Sequence, residues 1–346
     1  MFDTEYDILF AFLTSLIITY VAIPKVIFFS ERYKLNDVTE TRFLHERSIP
    51  VFGGIAIFAG LLCSLLFWSD FENIQFIITG LVIVFFVGIL DDLLGLTPYK
   101  KLIGQILAIL IIIYFGDMRI ENMQGVLGIG QLSDIWATLF TIFVSIVIIN
   151  AFNLIDGVDA LASGIGVLSA ASFGIIAIIM RQYDVAIIAF SLMGALLSFL
   201  KYNFPPAKVF MGDTGSLLVG MTLSVLAINL TSTGLVTEEF SFPQHGPILA
   251  IVFLAIPLFD SLRVFVVRIF NGKNPLSAGT DHIHHILLAL GLGHRGVALV
   301  LYFSSVFLIL ITAFLLQLDI SLSISILAVI TYLLFLIPFY IKSKRK

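Results

Sequence analysis

An all-α, multi-pass membrane fold with about eleven transmembrane helices is predicted by three features of this 346-residue sequence. Apolar residues make up 59% of the chain and charged ones 12%, with a mean hydropathy of +1.08. That leaves too little polar surface for a soluble domain of this length. Apolar runs long enough to cross a ~30 Å hydrocarbon core as helices recur from end to end. The short alternating segments of a membrane barrel are absent, and helices are the other way to satisfy a spanning backbone.

The runs place spans at 8–29, 51–68, 74–90, 102–116, 135–151, 161–180, 184–200, 214–231, 247–267, 296–317 and 320–341. The first follows acids and lacks a small-residue cleavage pattern, so it reads as a span and not a signal peptide. The fourth, LIGQILAILIIIYFG, is short but strongly apolar. The eighth opens on Gly212-Asp213-Thr214-Gly215, where Thr214 or Ser216 could cap a helix and backbone N–H groups would favour an anion such as phosphate. A longer polar loop separates the ninth and tenth. The remaining loops are short, with no linker, so residues 1–346 are expected to form one membrane-embedded domain. Internal repeats are not evident, which weighs against inverted-repeat transporter folds. The lone cysteine, Cys63, lies in an apolar run and reads as a packing residue.

Eleven spans put the termini on opposite sides. Of the 19 lysines and arginines, only Arg119 and Arg181 then fall on the side of the N-terminus. This asymmetry predicts a periplasmic N-terminus and a cytoplasmic C-terminus. Five of the six histidines (His45, His282, His284, His285 and His294) share the cytoplasmic side, and His245 does not.

Cytoplasmic acids gather in motifs at span ends. Asp91 and Asp92 close the third span in Gly88-Ile89-Leu90-Asp91-Asp92, and Lys100 and Lys101 follow. Adjacent carboxylates repel, and a divalent cation would relieve them; a solvated helix end is the plain alternative. Asn153, Asp156 and Asp159 recur every three residues after the fifth span, which keeps them near one helical face if the helix continues. Asn203, Lys208 and Asp213 lie between the seventh and eighth spans. Asp281-His282-Ile283-His284-His285 could bind zinc, but without a nearby cysteine or an HExxH pattern a phosphate or nucleotide is the better ligand. Arg42, Lys101, Lys208 and Arg263 flank these groups, and carboxylates, basic side chains and a divalent metal on one face describe a phosphate-handling site. Asp260 and Arg263, one turn apart, read as an ion pair at a helix end.

The ordered set GILDD, NAFNLIDGVDAL, FNFPPAKVFMGDTGSLLVG and DHIHH, preceded by Arg42-Phe43-Leu44-His45 and Val51-Phe52-Gly53-Gly54, resembles the polyprenyl-phosphate N-acetylhexosamine-1-phosphate transferase family. The likeness runs from about Asp37 to about Arg295. It implies a membrane enzyme of the bacterial inner membrane with a cytoplasmic site, passing a sugar phosphate from a UDP-N-acetylhexosamine to undecaprenyl phosphate and releasing UMP. It implies Mg²⁺ as cofactor, with Mn²⁺ as a substitute, membrane lipid as the surroundings, no nucleic acid partner, and a homodimer. By motif match, Asp213 and Asp92 are the expected metal ligands. Asp91, Asp92, Asp156, Asp159, His282, His284 and His285 are expected in catalysis. Arg42, His45, Lys101, Asn153, Asn203, Lys208 and Arg263 are expected to bind substrate. DHIHHIL and RSIPVFGG depart from the phospho-MurNAc-pentapeptide branch, which carries three successive histidines, and resemble the UDP-N-acetylhexosamine branch that starts O-antigen, teichoic acid or capsule chains. Gly279-Thr280 stands where Asp-Arg is the family pattern, and Gly95 where some relatives carry an acid. Direct attack by the lipid phosphate and a covalent intermediate on Asp91 or Asp92 both stay open. A secondary transporter is the rival class, disfavoured because the charges sit at span ends and not mid-span.

Overall fold

The computed structural model describes residues 4–33, 49–236, 241–242, 245–272 and 281–344. Helices α1 (Thr4–Tyr33), α2 (Gly53–Trp68), α3 (Phe71–Leu94), α4 (Pro98–Phe115), α5 (Asp134–Ile155), α6 (Leu161–Ile179), α7 (Tyr183–Asn203) and α8 (Gly212–Thr233) come first. They are followed by α9 (Gly246–Phe253), α10 (Ala255–Phe270), α11 (Ile283–Ala289), α12 (His294–Leu315) and α13 (Ile320–Lys344). Among the described residues, nine helices are long and apolar enough to cross a membrane, and ten if α9 and α10 count as one broken span. Helix α2 meets the predicted second span but is 16 residues long. The chain is a polytopic, all-helical membrane protein. A two-residue antiparallel pairing, Leu235–Val236 with Ser241–Phe242, is its only ladder among the described residues.

Helix α8 is the hub. It is buried on nearly every side, while α1, α4 and α13 leave most of their surface free. Its Gly, Ser, Thr and Ala content lets neighbours approach closely, as small residues do in membrane bundles. A Cβ on Gly54 would fall 2.2 Å from the Gly215 nitrogen, so the start of α2 lies directly on the start of α8. Backbone bonds lock that contact: Gly53 N–H donates to Phe210 O and Gly54 N–H to Met211 O, both at 3.0 Å, and Phe210 N–H donates to Pro50 O at 2.8 Å.

The span expected over 247–267 is not one continuous helix. Helices α9 and α10 meet at Leu254 with an 80° bend. Pro257 is the physical reason: it has no N–H to offer the Phe253 carbonyl and its ring crowds that oxygen. The carbonyl is taken instead by the Ser169 hydroxyl of α6, at 2.6 Å. The bend delivers α10, with Asp260 and Arg263, to α11 and the histidines.

Candidate active site

Three polar clusters lie at one end of the bundle, where α3, α5 and α7 finish and α4, α8 and α12 begin. The first forms at the α3–α4 turn. Gly95 takes the left-handed conformation (φ 64°) that ends α3, which accounts for glycine at this position. The turn is closed by Leu96 N–H, which donates to Asp91 Oδ1 at 2.7 Å. Helix α4 then starts at Pro98, and Lys101, one turn in, comes back against Asp91. The Lys101 ammonium bridges Asp91 and Asp213, at 3.3 Å from the latter. Asn153, on the last turn of α5, donates to Asp213 and to the Ser216 hydroxyl (2.9 Å). One turn deeper, Asn150 donates to the buried Gln105 at 3.2 Å. Two carboxylates, one ammonium and one amide thus converge from four helices.

Asp92 faces elsewhere. Its Oδ1 accepts from Asp213 N–H (2.8 Å), and its Oδ2 from Thr214 N–H (2.9 Å) and the Thr214 hydroxyl (2.5 Å). The expectation that Thr214 or Ser216 caps α8 is therefore corrected. No side chain of its own caps this helix, and the anion at its N-terminus is the Asp92 carboxylate from α3.

The second cluster knits the α5–α6 and α7–α8 loops. Asn203 is 3% exposed; its oxygen accepts from Ala160 N–H (2.9 Å) and Ser163 (3.2 Å), and its NH₂ donates to Val209 O (2.9 Å). Asp159 accepts from Ala207 N–H at 3.2 Å and lies 3.2 Å from His294 Nδ1. Arg295 donates to Pro205 O at 2.8 Å, so the start of α12 clasps both loops. Asp156 ends α5, half-buried, and Lys208 is exposed before α8.

The third cluster is the histidine helix. Asp260 is fully buried and accepts from Arg263 (2.9 Å), from Ile283 N–H (2.9 Å) and, on its other oxygen, from His282 Nδ1 (2.8 Å). Arg263 also donates to Asp281 O and stacks over the Phe339 ring at 4.6 Å. His282 and His284 stack with centroids 5.6 Å apart. Burial, reinforced by the neighbouring His285, pushes His284 down to about 3, and His285 is lowered chiefly by burial. His284 is therefore neutral at physiological pH. Its Nε2 would lie 3.0 Å from a Cβ on Gly157, so the histidine helix sits against the Asp156–Asp159 loop, and glycine makes room for the ring. His284 Nδ1 is buried without a hydrogen-bond partner.

The structure thus brings Asp91, Lys101, Asn153 and Asp213 into contact, with Asp92 behind them. It sets His284 against Gly157, between Asp156 and Asp159. Arg42 and His45 lie outside the described residues. Sequence reasoning assigned no role to His294 at Asp159 and did not connect Asp260 with the histidines. His294 carried a faint signal as a histidine opening a span. Away from these polar groups, an apolar cavity of about 270 Å³ lies between α5, α8 and α9, lined by residues such as Phe143, Val147, Ile148, Ala227 and Ile251. Ile148 is five residues before Asn153, which puts the cavity's near edge ~7.5 Å down the α5 axis from the first cluster.

Comparisons with known proteins place the chain among its relatives. Residues 74–231 match the sequence profile of Glycosyl transferase family 4. The chain is 32% identical over 299 residues to a probable undecaprenyl-phosphate N-acetylglucosaminyl 1-phosphate transferase of Bacillus subtilis, covering 85% of this chain and 81% of the relative. It is 28% identical over 277 residues to the undecaprenyl-phosphate alpha-N-acetylglucosaminyl 1-phosphate transferase of Escherichia coli K12, covering 77% and 72%. A phospho-N-acetylmuramoyl-pentapeptide-transferase of Borrelia turicatae is 35% identical over 273 residues, covering 67% and 75%. With the four motifs assembled at one end of an all-helical membrane bundle, the chain belongs to Glycosyl transferase family 4, among the polyprenyl-phosphate N-acetylhexosamine-1-phosphate transferases.

Proposed function

We propose that this protein transfers N-acetylglucosamine-1-phosphate from UDP-GlcNAc to undecaprenyl phosphate at the cytoplasmic face of the bacterial inner membrane, releasing UMP and starting a cell-surface glycan. The observation that carries the proposal is the Asp91–Lys101–Asp213–Asn153 constellation at the membrane end that also holds the histidine helix. The seventeen-to-two partition of basic residues over eleven spans supports a cytoplasmic placement of that end. The whole chain then works as one membrane-embedded unit.

The donor set fits Mg²⁺. Among the described residues no three Asp, Glu, His or Cys side chains form a cage. Mg²⁺ does not ask for one, since one or two carboxylates plus substrate phosphates suffice. The Lys101 ammonium between Asp91 and Asp213 marks a place already built for positive charge. Asp213 and Asp91 would hold the ion, with the Asn153 amide beside it. When bound, the ion neutralises the pyrophosphate and favours departure of UMP.

The residues themselves orient and screen. Lys101 draws the two carboxylates together and offers charge to an incoming phosphate. The neutral His284, buried between His282 and His285, packs against Gly157 and so holds the Asp156–Asp159 loop against the histidine helix. Asp260 fixes the ring of His282 through Nδ1. The apolar cavity between α5, α8 and α9 suits a prenyl chain whose phosphate reaches the first cluster. A phosphate monoester has a second pKa of ~6 and is largely ionised near neutrality, so direct attack needs little help from a base.

Purified protein in detergent, given undecaprenyl phosphate, Mg²⁺ and a panel of UDP-sugars, tests this. UMP release with UDP-GlcNAc, dependent on lipid and Mg²⁺ and lost in Asp213→Ala, is expected. Release only with UDP-MurNAc-pentapeptide would move the chain to the branch of its Borrelia relative. No release with any donor from folded protein would remove the transferase reading.

A further inference from the structure

Asp92 stands in the doublet that pattern alone marks for metal or catalysis, yet its contacts are those of a helix cap. The first four N–H groups of any helix lack partners within it, and a carboxylate near them also gains from the helix dipole. Asp92 meets two of those groups and one hydroxyl: Asp213 N–H at 2.8 Å, Thr214 N–H at 2.9 Å and Thr214 Oγ1 at 2.5 Å. Both oxygens are occupied, and Oδ2 has two donors. The geometry around it is built for this contact. Gly88, one turn before Asp92 on the same face of α3, has its virtual Cβ 2.4 Å from Thr214 Cα, so only glycine lets α3 come this close to α8. Gly212 has φ +71°, and a Cβ there would fall 2.2 Å from Val51 O and 2.7 Å from Asp92 Oδ2. Glycine is therefore required on both sides of the contact.

We propose that Asp92 is a positioning residue and not a metal ligand: its carboxylate caps α8 from α3 and so sets where the Asp213 carboxylate stands relative to Asp91 and Lys101. The Gly88-Ile89-Leu90-Asp91-Asp92 motif then divides its labour. Gly88 gives the close approach, Asp92 holds the backbone of Asp213, and Asp91 faces the charged site. What Asp213 is held for rests on the transferase reading; the cap does not.

Full-length protein in detergent, as wild type, Asp92→Asn, Asp92→Ala, Asp213→Asn and Thr214→Val, decides the matter with two measurements that need no turnover. These are Mn²⁺ binding, read from the free-ion EPR signal, and the melting temperature without metal. Asparagine keeps one of the two acceptor oxygens at the start of α8, and alanine keeps none. A cap therefore predicts that Asp92→Asn loses less Mn²⁺ affinity than Asp92→Ala, which loses about fivefold or more, the fold-change of a lost cap. The metal-free melting temperature should fall in the order Asp, Asn, Ala. In turnover, kcat should drop in the alanine variant and recover in part in the asparagine variant, with KM for UDP-GlcNAc little moved. A ligand predicts otherwise: both Asp92 variants lose Mn²⁺ as fully as Asp213→Asn while the metal-free melting temperature stays put, and that result overturns the proposal. So does an Asp92→Ala variant that melts and binds Mn²⁺ like wild type. Should the Asp92 variants fail to fold, Thr214→Val removes one of the three donors at constant shape; unchanged melting and unchanged kcat there would equally overturn it. If the wild type releases no UMP with any donor, the transferase reading falls, and the melting order still judges the cap.

Discussion

Lys101 and His284 show how single side chains set the chemistry of this site. Without its ammonium, Lys101→Ala leaves Asp91 and Asp213 facing each other with nothing between them. UMP release should fall by about 10² or more, and Lys101→Arg should recover only part, because a planar fork does not replace a compact charge. His284 predicts a pH dependence. Its folded value of about 3 lies below its ordinary 6.5, so between those values the unfolded chain binds more protons than the folded one. Stability is therefore complete above about pH 6.5 and declines as pH falls towards about 3. Melting curves of His284→Phe between pH 4 and 7 should show a flatter acid limb than wild type. An equal slope in both would mean that the ring is not held neutral by burial. None of this was legible from DHIHH itself, since the burial comes from Gly157 and from α10, remote in sequence.

At the scale of elements, the broken span is the clearest case. Pro257 lies in plain view in the run 247–267, but a hydropathy reading joins α9 and α10, since apolar character continues through the bend. The Ser169 hydroxyl completes the break by taking the carbonyl that proline leaves open. Ser169→Ala should therefore cost about 1–3 kcal/mol of stability, the penalty for a buried polar group without a partner. In a Pro257→Ala background, where a backbone N–H is available again, the same change should cost much less. A thermal double-mutant cycle measures the difference, and additive effects would refute the assignment. The α3–α4 turn was more legible, because a polar break between two apolar runs, with Gly95 and Pro98 in it, announces itself. The return of Lys101 onto Asp91 follows from how short that turn is.

For the whole molecule, the prediction concerns topology. Single cysteines placed in a Cys63→Ser background at Glu121 and at Tyr99 should react with a membrane-impermeant maleimide from opposite sides of intact cells, Glu121 from outside and Tyr99 only after permeabilisation. Reaction of Tyr99 from outside, with Glu121 reacting only after permeabilisation, would reverse the positive-inside assignment and move the site to the other face. The bundle itself gives the reason that one end is chemical: helices α3, α5 and α7 end where α4, α8 and α12 begin, so their connecting segments meet there. Helix α8, wrapped by its neighbours, supplies Asp213 at the centre of that meeting.

By itself the sequence determined the class of fold, most of the spans and their order, and the motifs that carry charge. Hydrophobic length is a local quantity, and a run of some twenty apolar residues has few other ways to be buried. It also determined the family, because four motifs in a set order leave a trace in the linear chain. Only the tertiary structure decided what each polar residue faces. Asp92 meets Thr214 across 122 positions, Asn203 meets Ala160 across 43, and Asp260 meets His282 across 22. Those pairings depend on which helices lie side by side and how closely glycines let them approach. Two neighbouring aspartates of identical chemistry, Asp91 and Asp92, part company for that reason: successive residues on a helix point about 100° apart, one towards Lys101 and the other towards the start of α8.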